Sequence, residues 1–210
     1  MPIGAESPET ALTGAALHEA KRALRMQVIA ARDALDPVMR VSASQIIGAR
    51  VQALPTFQSA QVVLVTLPFE SEWDTRPLAL AALASGKNLV VPRVNGATRM
   101  LELHAIRNLV SHLKPGFRGI PEPLPTLPRV EAAAIDWVLV PGVAFSAEGA
   151  RLGYGGGFYD RLMTLLAPAT PRVVGAFDAQ IVPHIPAAAH DLTVHMIVTE
   201  SRILHVRPKG

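Results

Sequence analysis

The chain has 210 residues, half of them hydrophobic, enough to bury a sizeable core in one domain. Its 20 Lys and Arg against 17 Asp and Glu are spread thinly, with no basic tract and few aromatics, which argues against a nucleic-acid partner and weakly for anionic ligands. The lack of cysteine excludes disulfides, a thiolate nucleophile and Cys-based zinc sites. "MPIGAESPETALTG" carries no secretory signal and no apolar run is long enough for a bilayer, so a soluble, cytoplasmic protein without a membrane partner is expected.

In chain order, residues 1–14 read as a disordered lead-in and 15–210 as a single α/β domain. Leu17, Ala20, Leu24, Val28, Ala31 and Leu35 recur at helical spacing until Asp36-Pro37 ends the helix. Within it, "KRALR" places Lys21 and Arg25 at i, i+4 on one face, ordinarily a solvated basic stripe. A second helix is predicted over 38–53, stopped by Pro55. The period then changes. "QVVLVT" (61–66), "NLVVP" (88–92), "DWVLVP" (136–141) and "RVVGAF" (172–177) are apolar nearly end to end, as parallel strands covered on both faces must be. "MLELHAI" (100–106) alternates and suits an edge strand, and "TVHMIVTE" (193–200) is a further strand. Between them, a helix is predicted over 75–86 with Thr75 as N-cap, and another from Gly157 to Leu166. The proline-rich 115–128 segment reads as an ordered loop. Alternating strands and helices imply a three-layer α/β sandwich.

Two stretches carry chemistry. "ARLGYGGGFYDRLM" (150–163) puts Gly153, Gly155, Gly156 and Gly157 between a buried strand and a helix, where exposed N–H groups suit a phosphate and glycine permits close approach. It is neither a Walker P-loop nor a G-x-G-x-x-G fingerprint, since Phe158 occupies the last glycine position; a dehydrogenase reading fails with it. Arg151 could hold a phosphate and Asp160 an Mg²⁺ against it; alternatively the two form a salt bridge that braces the loop. "PFESEWDT" (68–75) follows a strand at the same sheet edge. There Glu72 could accept hydrogen bonds from a polar heterocycle, with Trp73 as wall or core, or the acids are solvated loop charges. His184, His190 and His195 match no zinc spacing, whereas Asp191 could reach a metal.

Together, "KRALR", "SEWDT", "VPR" (91–93), "GIPEP" (119–123), "LVPGVAFSAEGARLGYGGGFYDR" (139–161) and "HDLTVHMIVTE" (190–200) resemble the 5-formyltetrahydrofolate cyclo-ligase family, also called methenyltetrahydrofolate synthetases, over residues 21–200. The resemblance implies an α/β/α fold with a mostly parallel mixed sheet. It implies conversion of 5-formyltetrahydrofolate, ATP and Mg²⁺ into 5,10-methenyltetrahydrofolate, ADP and phosphate; separately, a monomer is expected. By motif, ATP contacts would come from Lys21, Arg22, Ala23, Leu24 and Arg25, and from Arg151, Leu152, Gly153, Tyr154, Gly155, Gly156, Gly157, Phe158 and Tyr159. Folate contacts would come from Leu67, Glu72 and the 154–158 backbone. Arg151, Lys21 and Glu72 would carry catalysis, and Asp160 and Asp191 would match the Mg²⁺ positions.

The chain departs from the family pattern in three places. His195 stands where a second Asp is frequent, Phe158 where the first Tyr of "YYD" is usual, and Gly156 where some members carry Lys. Two alternatives follow: an ATP-dependent enzyme of this fold acting on another N-formyl or carboxyl substrate, and a non-catalytic folate or nucleotide binder. MgATP-dependent phosphate release with other substrates marks the first, and binding without turnover marks the second.

Overall fold

The computed structural model describes residues 14–186 and 192–206. The elements run α1 (Gly14–Asp33), α2 (Pro37–Gln52), α3 (Pro55–Ser59), β1 (Val62–Leu64), α4 (Arg76–Ala84), β2 (Asn88–Asn95) and β3 (Met100–Ile106). They continue with β4 (Leu113–Pro115), β5 (Pro121–Pro123), β6 (Trp137–Leu139), β7 (Ala144–Phe145), β8 (Arg151–Leu152), α5 (Phe158–Met163), β9 (Arg172–Gly175), β10 (Met196–Val198) and β11 (Ile203–His205).

Among the described residues these strands form a seven-stranded sheet in the order β11-β10-β9-β6-β1-β2-β3. The five inner strands pair in parallel, and antiparallel β3 and β11 close the two edges. Parallel strands bury both faces, and alternate residues separate cleanly. Val63, Val65, Leu89, Val91, Trp137 and Leu139 pack with α2, α3 and α4, while Leu64, Val90, Val138 and Val140 pack with Leu162 and Met163 of α5. The result is the expected α/β/α architecture.

Local chemistry explains the boundaries. Asp36 accepts from the amides of Val38 (2.9 Å) and Met39 (3.0 Å) with Pro37 in the first turn, so one Asp-Pro pair separates α1 from α2. Thr75 does occupy the N-cap of α4, yet its hydroxyl donates to the Thr66 carbonyl (2.6 Å) and ties the acidic loop to the end of β1 instead of capping.

Several expectations need correction. The 115–128 segment is not wholly loop, because Leu113–Pro115 and Pro121–Pro123 pair as an antiparallel hairpin around a turn of 3-10 helix. The glycine-loop helix ends at Met163 and not Leu166, and the last strand of the parallel set covers only 196–198. β11 and the β7–β8 hairpin were not anticipated. Gly14 already belongs to α1; the rest of the lead-in lies outside the described residues. Among the described residues no helix is long and apolar enough to cross a membrane.

Candidate active site

The carboxyl ends of the parallel strands open onto a cavity of ≈ 290 Å³. β1 runs into Thr66 and Leu67, β6 runs into Pro141, β2 supplies Pro92 and Val94, and residues 151–160 form the opposite wall. α1 crosses beside them and contributes Lys21 and Arg25 one helical turn apart.

The glycine loop is held by cations but keeps its amides open. Arg25 Nε donates to the Gly153 carbonyl (2.7 Å), and Arg161 Nη2 donates to that of Gly156 (2.9 Å). Gly155 and Gly157 sit at φ of 94° and 65°, a region that side chains with a Cβ resist. Among the described residues, the amides of Gly155, Gly156 and Gly157 donate to no backbone acceptor, and the three residues line the cavity beside Lys21, Arg25 and Arg151. Partial burial pushes the Arg25 guanidinium down from its ordinary value, yet an arginine stays charged.

Arg151 is nearly buried. Its Nη1 donates to the Pro141 carbonyl (3.1 Å), and its Nη2 pairs with Asp160. The bracing contact foreseen from sequence is therefore present, in a residue that also lines the cavity. The Asp160 side chain remains 58% exposed at the mouth. Tyr159, partly buried, shares a hydrogen bond with Thr66, and burial raises its phenol well above the ordinary value, so it stays neutral.

Glu72 faces this cation-rich wall from the acidic loop. Its Oε2 accepts from the Phe69 amide (3.0 Å) and its Oε1 from the Tyr154 hydroxyl (2.7 Å). Burial raises its pKa above the ordinary carboxylate value, opposed by those two hydrogen bonds and by Arg32. Glu72 and Leu67 also line a second cavity of ≈ 410 Å³, so the carboxylate stands in the wall between two spaces. Trp73 resolves to core: it is 5% exposed, and a Cβ on Gly175 would meet its ring at 2.5 Å.

Other expected residues fall elsewhere. Arg22 is exposed and paired with Glu19, Ala23 is exposed, and Leu24 packs against Val28, Val143 and Leu152. Asp191 and His190 lie outside the described residues. His195 sits at the amino end of β10, where its Nδ1 accepts from the Arg172 amide (3.2 Å), at the opposite end of the sheet from the cavity. Among the described residues no three His, Asp or Glu side chains gather for a metal. A single exposed carboxylate such as Asp160 still fits Mg²⁺, which takes most of its ligands from phosphate and water.

Sequence reading overlooked the roof. Phe117, Arg118, Ile120 and Glu122 of the β4–β5 hairpin line the cavity, with Phe117 edge-on to Phe158 at 6.0 Å. Glu122, 4% exposed, accepts from the amides of Val94 and Phe117 (both 3.1 Å) and pairs with Arg93 (3.5 Å), fastening the hairpin to β2. The motif "GIPEP" was visible, but its packing partner Val94 lies 28 residues upstream. Arg32 was missed too, although it continues the Lys21–Arg25 face of α1.

Comparison with known proteins supplies a family and a fold. The model of the 5-formyltetrahydrofolate cyclo-ligase family matches residues 17–200. The chain is 32% identical over 179 residues to the 5-formyltetrahydrofolate cyclo-ligase of Escherichia coli K12, covering 82% of this chain and 96% of that one. Its fold is similar to the NMR structure of Aquifex aeolicus 5,10-methenyltetrahydrofolate synthetase, with TM-score 0.80 and 32% identity over 90% of this chain and 94% of the other. At 22% identity, the Mycoplasma pneumoniae 5,10-methenyltetrahydrofolate synthetase shares the fold at TM-score 0.70, covering 86% and 98% of the two chains.

Proposed function

Since the chain belongs to the 5-formyltetrahydrofolate cyclo-ligase family and is an enzyme of that kind, we propose that it converts 5-formyltetrahydrofolate, ATP and Mg²⁺ into 5,10-methenyltetrahydrofolate, ADP and phosphate. One observation carries the reading: a single cavity is lined by Lys21, Arg25, Arg151 and a glycine loop whose amides at 155–157 lack backbone acceptors, and also by a buried carboxylate, Glu72. The first half suits a triphosphate, and the second suits the N–H donors of a pterin.

A formamide carbonyl is a poor electrophile because its nitrogen donates into it. In the proposed reaction the formyl oxygen attacks the γ-phosphorus and ADP leaves. N10 then adds to the activated carbon, the C–O bond breaks, phosphate departs with the former formyl oxygen, and N10 loses its proton. No protein nucleophile is needed. The chain's task is alignment and neutralisation of charge spreading over the transferred group. Lys21, Arg151 and the amides of Gly155–Gly157 supply donors for that charge, Arg25 holds the loop, and Glu72 with Leu67 orients the folate. Asp160, with Asp191, would hold Mg²⁺, which when bound offsets phosphate charge. The hairpin roof with Phe117 and Phe158 would keep water from the activated intermediate.

Incubation with 5-formyltetrahydrofolate and MgATP should produce the near-ultraviolet methenyl chromophore with equimolar phosphate. Folded protein that gives no ATP-dependent chromophore would end this reading.

A further inference from the structure

Behind Glu72 lies a charge that the proposed reaction does not use. Arg32, two helical turns beyond Arg25 on α1, is 0% exposed and does not touch the cavity. Its Nε donates to Ser71 Oγ (2.8 Å) and its Nη1 to the Tyr154 hydroxyl (3.0 Å). Nη1 also stands 4.0 Å from Glu72 Oε1, while Nη2 finds no acceptor among the described residues. The Tyr154 hydroxyl in turn donates to Glu72, so guanidinium, phenol and carboxylate form one chain from the interior to the cavity wall. A buried guanidinium with an unmet N–H is costly; among the described residues its ion-pair partner is Glu72, while Asp33 is reached only through Ser71.

We propose that Arg32 is a positioning residue for the folate-reading carboxylate. It orients Tyr154 and keeps Glu72 ionised, so that an acceptor and not a neutral carboxyl faces the substrate. This rests on the reading of Glu72 as the folate acceptor. The electrostatics around Glu72 agree in direction. Burial and Glu70 favour its protonated form, whereas Tyr154, the Phe69 amide and Arg32 favour the charged one. Lys21, Arg25, Arg118, Arg151, Tyr159, Asp160 and Glu122 share its cavity, and Glu70, Asp74 and Arg76 share the second one. Arg32 is the cation of this set that reaches Glu72 from its buried side. A carboxylate without that cation would take up a proton at higher pH and lose its value as an acceptor.

The test is the affinity for 5-formyltetrahydrofolate, by calorimetry, between pH 5.5 and 9 for wild type, Arg32→Met, Tyr154→Phe and Glu72→Gln. Arg32→Met should move the acidic fall-off in affinity up by at least about one pH unit, with affinity recovering toward wild type near pH 9. Tyr154→Phe keeps the ring and the charge and should shift the same limb in the same direction by less; it also decides the matter if Arg32→Met does not fold. Glu72→Gln should bind weakly with no acidic limb. A loss that is equal at every pH in Arg32→Met, or an unmoved limb in Tyr154→Phe, would overturn the positioning role while leaving Glu72 as acceptor. Wild-type affinity in Glu72→Gln would instead overturn the reading of Glu72 itself, and this proposal with it.

Discussion

The two ends of the sheet differ in what their polar groups surround, since only the carboxyl ends open onto the large cavity. At the amino ends several polar groups pair across neighbouring elements, although Arg172 Nε, Trp137 Nε1 and Thr56 Oγ1 find no partner among the described residues. Asp136 accepts from the amides of Gln61 (2.9 Å) and Val62 (3.0 Å), Lys87 donates to the carbonyls of Gln58 (2.9 Å) and Ala60 (2.6 Å), and Thr170 donates to that of Ile135 (3.0 Å). At the carboxyl ends, loop amides lack backbone acceptors, Arg32 and Arg151 each keep a buried N–H unmet, and Glu72 holds a raised pKa. Unmet polar groups cost stability in the free protein, and those beside the cavity are the ones a ligand can complete. Substitutions at the two ends should therefore separate function from stability.

The sharpest break should come from the cavity side. Arg151→Ala removes a cation from the phosphate wall and the partner of Asp160. Turnover should fall at least about tenfold, equivalent to about 1.4 kcal/mol of barrier. Initial rates of methenyl formation with saturating substrates measure this, and wild-type kinetics would leave Arg151 a structural brace alone. The mirror experiment is Asp136→Ala at the amino end. It strips two amides of a charged acceptor and should lower unfolding stability by about 1 kcal/mol with turnover intact. Denaturant melts beside the same rate assay decide it, and a rate loss would blur the division between the two ends.

That division also explains what could be read from sequence. Strand periodicity and both-face burial located β1, β2, β6 and β9, because their chemistry is local and repetitive. The glycine loop and Glu72 were found because unusual residues cluster within a few positions. Arg32 and Glu122 were missed for the opposite reason. In sequence each resembles an ordinary surface charge, and only the fold buries it, against partners 122 and 28 residues away. Long-range burial of a charge leaves no periodic trace. His195 erred the other way: its motif position suggested the site, and the fold carries it to the far end of the sheet.

A smaller effect should follow from Asp160→Asn. The carboxylate is more than half exposed and, in the proposed reaction, would be one metal ligand among phosphate oxygens and waters, so its charge is strongly screened. A rise of roughly threefold in the Mg²⁺ needed for half-maximal rate is expected, near the upper end of what one screened charge contributes. The melting temperature should hardly move. An unaltered Mg²⁺ titration would remove Asp160 from the metal's surroundings.

The smallest predicted effect belongs to His195. Burial first, and the Arg172 charge second, hold its pKa below the ordinary histidine value, and its neutral Nδ1 accepts the Arg172 amide. A depressed folded pKa means that the unfolded chain takes up the proton first. The stability contributed by neutral His195 is thus complete above the unfolded pKa of about 6.5 and is lost as pH falls through the lower folded value. His195→Asn keeps an acceptor for the amide but cannot titrate. Its melting temperature should run parallel to wild type above pH 7, and wild type should lose ground to it on acidification toward pH 5. Because the residue is only partly buried the divergence should be slight, and curves that stay parallel to pH 5 would show that His195 titrates as it does in the unfolded chain. Turnover at neutral pH should be the same in both proteins, since the substitution lies at the end of the sheet away from the cavity.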